Sequence, residues 1–470
     1  MIKLCKDDTI HFVGIGGIGM SGIAEVMSSL GYNIQGSDQS DSQNIKRLKK
    51  SGIKIFLGHN QNNISDVQLL VCSSAVSEEN PELNLARKLR IPILKRAEIL
   101  AELLKHKQTI AVGGTHGKTT TTSMISEILY GAGLDPMVLN GGIINSFGTN
   151  ARVGTSDWAV VEADESDGTF LKIPSSIAIV TNIDKEHLDF YGDFTKLKKS
   201  FLTFINNVPD NGFSVICNDD KQIQTILKDL DEEKIITYGI KTDSRFMAKN
   251  INIKNNFTSF DVYESGSLLL SNIILPMIGY HNVLNALAAI TVSKKLNIDE
   301  KKIKDLLSSF TGVYRRFSKI GVVNDITIFD DYGHHPVEIR AVLDAAKTSC
   351  SGNIIAVMQP HRYSRLSSLF REFSKCFESA DHIIISNVYS AGERPDKNYH
   401  RDSLINSIKR EGKESVMPLE NPEELPSIIK DIVNKDDWVI FLGAGDITNW
   451  ARKLPQSLEV IFNANNEGGL

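Results

Sequence analysis

AVGGTHGKTTTT, residues 111–122, places a glycine-rich turn between an apolar segment and a run of threonines. A turn of this kind leaves successive backbone N–H groups unpaired and aims them at the start of a helix, whose dipole favours an anion. Lys118 is spaced to reach the β- and γ-phosphates of a nucleotide, and the Thr119 hydroxyl is spaced to bind Mg²⁺. The stretch therefore predicts a strand, a phosphate loop and a helix that bind a nucleoside triphosphate.

The loop departs from the general phosphate-loop pattern at one position. The pattern G-x-x-x-x-G-K-[ST] requires glycine at position 112. This chain has Val112 there, and the glycine follows one place later as Gly113. The loop is therefore a shortened variant, GTHGKTT, which differs from the form found in motors and GTPases.

Composition is that of an ordinary globular protein. A chain of 470 residues predicts two to four domains, at about 150 residues each. With a net charge of −5, nothing indicates a nucleic-acid partner. Five cysteines without a CxxC pair favour free thiols in a reducing cytoplasm. We expect neither a signal peptide nor a membrane-inserted segment, because no long apolar run is present.

Three blocks follow one another along the chain, each alternating short apolar strands with longer helical segments. This alternation is typical of α/β domains with parallel sheets. We place the domains at residues 1–107, 108–313 and 314–470. In the second block, residues 245–280 alternate apolar and polar side chains, which favours antiparallel hairpins.

Unusual polar clusters follow directly after the apolar strands. Ligands of open α/β sheets bind at the carboxyl ends of strands, so these clusters predict binding sites at the sheet edges. The clusters are GTHGKT, EADESD, TNIDKEH, DDYGHHP, QPHRYSR and YSAGER.

A second glycine loop, GIGGIGMSG at residues 14–22, follows the first apolar strand. It contains G-x-G-x-x-G at Gly14, Gly16 and Gly19, and Asp38 lies nineteen residues beyond. This satisfies the fingerprint for a pyrophosphate on a helix N-terminus. The glycines do not distinguish NAD, FAD or a UDP-sugar, and a turn for close helix–strand packing is the structural alternative.

Acidic residues and a histidine follow the strands beside the phosphate loop. Glu162, Asp164 and Glu165 come after the apolar run WAVV, and His187 follows the next apolar strand. A carboxylate one strand away from a phosphate loop is a typical ligand of the nucleotide's metal. The alternative is a set of solvated acids and a surface histidine.

The third block concentrates basic side chains after its strands. We expect them to bind phosphates or carboxylates. No cysteine or second spaced pair completes a zinc site around the two adjacent histidines. The residues are Arg315, Arg316, His334, His335, His361, Arg362 and Arg365.

Together these motifs resemble the Mur ligases, in particular their alanine-adding members, and the resemblance runs nearly end to end. The order and spacing of the motifs are specific even though each is weak alone, and GIGGIGMSG and DDYGHHP favour the alanine-adding members. The motifs are GIGGIGMSGIAE, SSAVSEENPE, GGTHGKTTTTSM, EADESDGTFL, TNIDKEHLDFYG, GYHNVLNALAA, GVYRRF, DDYGHHPVEI, QPHRYSR, YSAGERP and LGAGDI. Several family members carry a carbamylated lysine that the segment FLTFINNVP lacks. The alanine-adding members generally lack this lysine too.

The resemblance implies an α/β fold of three domains: a Rossmann-like UDP-sugar domain, a central P-loop ATPase-type domain and a C-terminal Rossmann-like domain. The last would close on ATP and bind the amino acid. The implied activity is ATP-dependent ligation of L-alanine to UDP-N-acetylmuramate through an acyl phosphate, in peptidoglycan synthesis. Mg²⁺ is the implied metal, for which Mn²⁺ can substitute.

The resemblance also implies roles for particular residues. Lys118, Glu162 and His187 would be catalytic, and Thr119, Glu162 and His187 would hold the metal. The implied ATP-binding residues are Gly113, Gly114, Thr115, His116, Gly117, Lys118, Thr119, Thr120, His281, Asn282, Asn285, Arg316 and Asp331. The implied UDP-sugar residues are Gly14, Gly16, Gly17, Gly19, Ser37, Asp38, Ser73 and Ser74. Tyr332, His334, Arg362 and Arg365 would lie on the amino-acid side.

Other functions are compatible with parts of the pattern. The nearest is a recycling ligase of the same fold that joins a tripeptide to UDP-N-acetylmuramate; folylpolyglutamate synthase lacks the UDP loop. An NAD-dependent oxidoreductase would use Gly14–Gly19 but leaves GTHGKTTT unexplained, and a non-catalytic nucleotide-binding module is the third alternative. The sequence leaves open whether the protein is a monomer or a homodimer.

Overall fold

The computed structural model describes residues 5–254 and 256–467, and within these ranges the strands form three sheets. This confirms the predicted α/β architecture of three domains in series. The boundaries 107/108 and 313/314 fall between sheets, and the exact limits remain a prediction.

Contacts between residues divide the described chain into two compact units. The first unit comprises the described residues up to Ile251 together with Phe260–Leu275 and Asn282–Thr311. The second comprises the described residues of 252–259, Pro276–His281 and the described chain from Gly312 onward. The first two sheets lie almost wholly in the first unit, so they are considered together below.

The first sheet is parallel, with strand order β3-β2-β1-β4-β5. The strand order reverses at β1: β2 and β3 are added on one side of it, and β4 and β5 on the other. In such sheets the ligand-binding crevice lies at the carboxyl end of the strands, at this switch point. The strands are β1 (Thr9–Val13), β2 (Asn33–Asp38), β3 (Lys54–Leu57), β4 (Leu69–Cys72) and β5 (Ile93–Lys95). The helices are α1 (Ile18–Ser29), α2 (Gln43–Lys50), α3 (Pro81–Leu89) and α4 (Arg96–Leu104).

The second sheet has the strand order β15-β14-β13-β12-β11-β10-β6-β9-β7-β8. The strands are β6 (Gln108–Gly113), β7 (Met137–Ile144), β8 (Thr149–Arg152), β9 (Trp158–Glu162), β10 (Ser175–Val180), β11 (Phe213–Cys217), β12 (Ile235–Gly239), β13 (Phe246–Lys254), β14 (Phe257–Glu264) and β15 (Ser267–Leu275). The helices are α5 (Lys118–Gly131), α6 (Leu188–Tyr191), α7 (Phe194–Asn206), α8 (Lys221–Ile226), α9 (Tyr280–Lys295) and α10 (Glu300–Ser308).

The interior of the second sheet explains its apolar runs. β10, β6 and β9 are adjacent and parallel, and their central side chains are buried. Strands of this kind have continuous apolar sequences because helices cover both faces of the sheet. At the far edge, β14 and β15 are adjacent and joined by two residues, Ser265 and Gly266, a connection that only antiparallel strands allow. This agrees with the hairpins predicted for that segment.

Helix α5 carries four consecutive threonines, which are poor helix formers. Thr119, Thr120, Thr121 and Thr122 are nevertheless all buried. Packing therefore outweighs local propensity, and this packing fixes the start of the helix after the phosphate loop.

The third sheet has the order β16-β17-β21-β18-β19-β20, with only β16 antiparallel among its described pairs. Apolar clusters cover both faces. Its strands are β16 (Ser318–Val323), β17 (Ile326–Asp331), β18 (Ile354–Met358), β19 (His382–Ser386), β20 (Val416–Leu419) and β21 (Trp438–Leu442). Its helices are α11 (Pro336–Lys347), α12 (Tyr363–Ser368), α13 (Phe370–Lys375), α14 (Arg401–Arg410), α15 (Leu425–Ile432) and α16 (Ile447–Glu467).

The polar clusters follow strand ends as predicted: they come after β6, β9, β10, β17, β18 and β19. Across the described part of the chain, none of the helices has both the length and the apolarity needed to cross a membrane.

Candidate active site

The phosphate loop leaves β6 and enters α5 through two glycines with positive φ, Gly114 at +125° and Gly117 at +83°. A Cβ on Gly114 would come within 2.9 Å of the Thr181 backbone nitrogen. A Cβ on Gly117 would stand 2.5 Å from Oδ1 of Asn285. Both glycines are therefore required by backbone conformation and by close approach.

Asparagines hold the loop from two sides. The backbone carbonyl oxygen of Asn182 accepts a hydrogen bond from the Thr115 N–H at 3.1 Å, and its side-chain Oδ1 accepts one from the His116 N–H at 2.8 Å. Asn285 accepts the Thr121 hydroxyl at 3.2 Å and donates to Asn282 at 3.3 Å. The expectation that all successive loop N–H groups are unpaired is wrong for Thr115 and His116, because the loop after β10 uses them.

Lys118 lies inside this loop and contacts an acid. Its Nζ donates to the carbonyl oxygens of Gly114 at 2.6 Å and Thr115 at 3.1 Å, and to Glu165 Oε1 at 2.9 Å. Burial alone would lower the pKa of Lys118, but nearby carboxylates, Glu165 foremost, outweigh it and raise the pKa. Burial raises the pKa of Glu165, whose side chain is 1% exposed. The pair is therefore a buried cation beside a carboxylate of weakened acidity.

Glu162 ends β9, one strand from the phosphate loop, in register with Val112 of β6. Its carboxylate accepts the backbone N–H of Gly141 at 2.7 Å. A Cβ on Gly141 would stand 2.5 Å from both carboxylate oxygens, so a glycine on β7 makes room for this acid. Glu162 is therefore held at the carboxyl edge of the sheet, where the sequence predicted it.

His187 immediately precedes the short helix α6 and has a φ of +56°, an uncommon conformation for a residue other than glycine. Its Nε2 lies 4.0 Å from Glu165 Oε1 and 4.0 Å from Glu186 Oε2. The structure therefore brings Lys118, Glu165 and His187 together. Thr119, the third predicted metal ligand, is buried in the first turn of α5.

The glycine loop of the first sheet forms hydrogen bonds with the end of β2. The N–H groups of Gly14 and Ile15 donate to the Ser37 carbonyl at 2.9 and 3.1 Å. The N–H of Gly16 donates to Asp38 Oδ2 at 2.8 Å. Asp38 is thus part of the loop, and a Cβ on Gly16 would collide with it.

A cavity of about 790 Å³ opens over this loop. It is large enough for a nucleotide-sized ligand. Among the described residues, its lining includes the predicted Gly14, Gly17, Asp38 and Ser73, but not Gly16, Gly19, Ser37 or Ser74. The lining also includes His59, which the sequence analysis did not select.

His59 is held by a buried carboxylate that the sequence analysis also missed. Glu82, fully buried at the start of α3, accepts hydrogen bonds from Ser37 at 2.6 Å and Asn63 at 2.6 Å, and lies 3.1 Å from His59 Nδ1. Burial would raise the pKa of Glu82, but these bonds and the nearby His11 lower it to about 2. The rule that polar residues follow strand ends would have found His59, because GHN comes directly after β3.

In the second unit, Asp331 ends β17 and Tyr332 follows it, whereas the predicted Arg316 lies just before β16. Asp331 accepts the N–H groups of Phe317 at 2.7 Å and Gly333 at 2.6 Å. Burial raises the pKa of Asp331 to about 6, although Arg316 opposes it. The Arg316 guanidinium lies 5.4 Å from the centre of the Tyr332 ring. Burial, with a contribution from Arg316, lowers the pKa of His281 to about 4.

A basic cluster follows β17 and β18 in the same unit. The rings of His334 and His361 lie 6.0 Å apart, and His361 stacks on Tyr389. Arg365 Nη1 lies 3.3 Å from Nδ1 of His361. Burial, together with His334 and the neighbouring arginines, lowers the pKa of His361 to about 3, so this ring is neutral and can accept from Arg365. Arg362 begins α12 with a φ of +69°.

Models of three domain families match successive parts of the chain. The match to the model described as Mur ligase family, catalytic domain, covers residues 9–108, and that to the Mur ligase middle domain covers residues 112–293. The model described as Mur ligase, glutamate ligase domain, matches residues 315–445. The chain belongs to the Mur ligase family.

Relatives within the family span nearly the whole chain. A UDP-N-acetylmuramate–L-alanine ligase from Agrobacterium fabrum is 50% identical over 457 residues, which is 96% of this chain and 97% of the relative. An enzyme of the same name from Parvibaculum lavamentivorans is 52% identical over 96% of this chain and 92% of its own length. The crystal structure of the UDP-N-acetylmuramate–alanine ligase MurC from Thermotoga maritima superposes with a TM-score of 0.83 at 32% identity, covering 97% of this chain and all of that one.

Membership of the Mur ligase family accounts for both glycine loops in one protein, which an oxidoreductase does not. It also makes the protein an ATP-dependent ligase, in agreement with the phosphate loop.

Proposed function

We propose that this Mur ligase joins L-alanine to the lactyl carboxylate of UDP-N-acetylmuramate and releases ADP and phosphate, in peptidoglycan synthesis. The observation that carries the proposal is 50–52% identity over 96% of the chain to ligases of that name. The phosphate loop and the cavity over the first glycine loop supply a site for each of the two large substrates.

The chemistry needs an activated carboxylate, because a carboxylate does not form an amide spontaneously in water. Transfer of the γ-phosphoryl group of ATP to the acceptor carboxylate creates an acyl phosphate, and the deprotonated amine of alanine then displaces phosphate. Lys118 contributes its charge to the transferred phosphoryl group, and for this it exchanges its contact with Glu165 for a phosphate oxygen. Residues around the acyl phosphate also exclude water, which would hydrolyse it.

The residues around Lys118 fit a magnesium ion. Thr119 and Glu162 offer oxygen atoms, which this hard cation prefers, and Glu165 adds a buried carboxylate that lies 2.9 Å from Lys118 Nζ. His187 is the unusual member of the set, because imidazole suits softer metals than Mg²⁺. We propose that Thr119, Glu162 and His187 hold Mg²⁺, with Mn²⁺ as a substitute. A cation held there would neutralise negative charge on the phosphate oxygens.

The basic cluster of the second unit is proposed as the amino-acid side. Arg362 and Arg365 offer guanidinium groups for the alanine carboxylate. His334 lies beside Tyr332 and supplies a further hydrogen-bonding group. We place the reaction in the cytoplasm, where ATP is available, and the protein as a monomer or homodimer.

The test is ADP release by the purified protein with UDP-N-acetylmuramate and a panel of amines: L-alanine, glycine, L-serine and the cell-wall tripeptide. We expect turnover with L-alanine that depends on UDP-N-acetylmuramate. Preference for the tripeptide would replace the proposal with the recycling activity. Phosphate release that does not depend on the acceptor would contradict ligation altogether.

A further inference from the structure

Arg96 links the first two sheets at their ligand-binding edges. It begins α4 directly after β5, and its side chain is 18% exposed. Its Nη2 donates to Asp164 Oδ2 at 3.0 Å, Asp167 Oδ2 at 2.9 Å and Thr169 Oγ1 at 3.2 Å. Those acceptors belong to the acidic loop, residues 163–168, and to the residue that follows it. An arginine of the first sheet is therefore held by the loop that follows β9 of the second.

The other nitrogen of the same guanidinium lies against the glycine loop. A Cβ on Gly19 would stand only 2.7 Å from Arg96 Nη1. Gly19 is the third glycine of the fingerprint, for which close packing of helix on strand is the usual explanation. In this protein Gly19 makes room for Arg96, so the guanidinium packs on the first turn of α1, where the pyrophosphate is proposed to bind.

The acidic loop in turn carries the partner of Lys118. Asp164 and Asp167 each use the oxygen not facing Arg96 for a turn within the loop: Asp164 Oδ1 accepts the Ser166 N–H at 3.0 Å, and Asp167 Oδ1 accepts the Thr169 N–H at 3.1 Å. Glu165, adjacent to Asp164 in the chain, lies 2.9 Å from Lys118 Nζ. The orientation of Glu165 toward Lys118 therefore depends on two carboxylates that share one guanidinium.

Electrostatics agree with this geometry. Burial would raise the pKa of Asp164, but Arg96 foremost, and then Lys118, lower it to about 2. Removing Arg96 would leave Asp164 and Asp167 without the guanidinium that both contact. Glu165 and Lys118 would then no longer be held in one arrangement.

We propose that Arg96 is a positioning residue that couples occupancy of the UDP-sugar loop to the state of Lys118 in the ATP loop. A sugar nucleotide that orders the first turn of α1 restrains Arg96, and Arg96 restrains the acidic loop and Glu165. The inference rests on the proposed function, because it requires both substrates. Its thermodynamic consequence is reciprocal: UDP-N-acetylmuramate tightens ATP-analogue binding by the same factor as the analogue tightens UDP-N-acetylmuramate binding.

Arg47 provides a matched control. It also reaches from the first sheet's domain to the second's, where its Nη2 donates to Asn150 Oδ1 at 2.6 Å, and it lies 3.3 Å from Glu25. Asn150 belongs to β8 and not to the acidic loop. Loss of Arg47 therefore weakens the same contact between domains without touching Glu165.

The experiment is calorimetric titration of a non-hydrolysable ATP analogue, with and without saturating UDP-N-acetylmuramate. It compares the wild-type protein with Arg96→Lys, Asp167→Asn and Arg47→Lys. Lysine keeps the charge of Arg96 but cannot hold both carboxylates in a planar fork. We expect a coupling factor of about fivefold or more in the wild type and in Arg47→Lys. We expect a factor near one in Arg96→Lys and an intermediate factor in Asp167→Asn.

Melting curves and the affinity for UDP-N-acetylmuramate alone identify variants that have lost their fold. Arg96→Lys with wild-type coupling would overturn the inference, as would Arg47→Lys with equally reduced coupling or a wild-type factor of one. If Arg96→Lys does not fold, the coupling factor of Asp167→Asn becomes the test. A wild-type coupling factor in Asp167→Asn would then overturn the inference. Failure of the wild type to bind UDP-N-acetylmuramate would instead contradict the proposed function, so the two failures are distinguishable.

Discussion

Lys118 is neutralised by Glu165 in this structure, although its proposed partner is a phosphate group. In the proposed complex a phosphate oxygen takes the place of the Glu165 carboxylate, which lies 2.9 Å from Lys118 Nζ here. The site is thus an ion pair in which, by our proposal, a nucleotide phosphate replaces the Glu165 carboxylate.

Lys118→Ala should abolish ligation while UDP-N-acetylmuramate still binds, because the lysine lies outside the cavity over the first glycine loop. Loss of a charge-assisted contact that tightens in the transition state costs about 3 kcal/mol or more, which is over a hundredfold in rate. Turnover and calorimetric binding are the measurements. Lys172→Ala, which removes a surface ion pair with Glu98, is the control and should be active. Near-normal turnover of Lys118→Ala would reject the phosphate-loop role.

Glu162→Gln and His187→Ala should each lower turnover and raise the magnesium concentration needed for half-maximal rate. The reason is that both residues are proposed metal ligands: Glu162 at the end of β9, and His187 in the loop after β10. Asp210→Asn, which alters an exposed acid paired with Lys234, should leave the magnesium titration unchanged. A variant whose titration curve matches the wild type does not alter a metal ligand.

Glu82 predicts a pH dependence of stability. Its folded pKa of about 2 lies below the ordinary 4.5, so its contribution is present above the ordinary value and is lost as the pH falls toward the folded value. Between pH 5 and pH 3 the wild type should therefore lose about 2 kcal/mol more than Glu82→Gln, which cannot titrate. Chemical unfolding at the two pH values measures this difference. Equal losses in the two proteins would show that the carboxylate is not stabilised by its hydrogen bonds.

Among the helices, α5 has a start that is set by contacts with residues outside the helix. Asn285 of α9 and the loop after β10 contact the phosphate loop on either side, and the first turns of the helix contain four threonines, which are poor helix formers. Correct placement of Lys118 and Thr119 therefore depends on these neighbours more than on the local sequence.

Gly114→Ala should destabilise the protein by at least about 2 kcal/mol and remove activity, because alanine at a φ of +125° is strained and would approach the Thr181 backbone. Gly133→Ala, just after the other end of α5, is the control. Gly133 also has a positive φ, of +90°, but has open space around it, so the cost should be about 1 kcal/mol with activity retained. Thermal melts and turnover test both. Equal effects of the two changes would show that close approach at Gly114 is unimportant.

At the scale of the whole molecule, residues assigned to ATP belong to both compact units: Lys118 to the first, and Arg316 and Asp331 to the second. A nucleotide that binds both sets must favour an arrangement in which they meet, since a ligand shifts an equilibrium only through differential contacts. The amine should enter late, because an exposed acyl phosphate would be lost to water.

We therefore expect ATP analogue plus UDP-N-acetylmuramate to decrease the radius of gyration in solution. Arg316→Ala should weaken this response, because it removes a contact that only the second unit can supply. Small-angle scattering of the free and saturated protein is the measurement, and UDP-N-acetylmuramate alone is the control. An unchanged radius with both ligands bound would reject closure as the step that assembles the site.

The fold class, and the edge of each sheet at which the polar clusters lie, follow from the amino-acid sequence alone. Local rules suffice for this: apolar runs form buried strands, glycines with positive φ form the loops, and functional side chains follow strand ends. Lys118 and Glu162 were predicted because each lies within a few residues of such a signal, and the structure places Glu162 beside the phosphate-loop strand.

The contacts between these groups, in contrast, are visible only in the three-dimensional structure. That Gly19 makes room for Arg96, that Asn182 takes two loop N–H groups, and that Glu82 is buried beneath His59 all involve residues far apart in sequence. The physical reason is that a hydrogen bond or an ion pair requires particular atoms within about 3 Å. Periodicity and motif spacing fix the elements and their edges, whereas the packing of one sheet's loops on another fixes those distances.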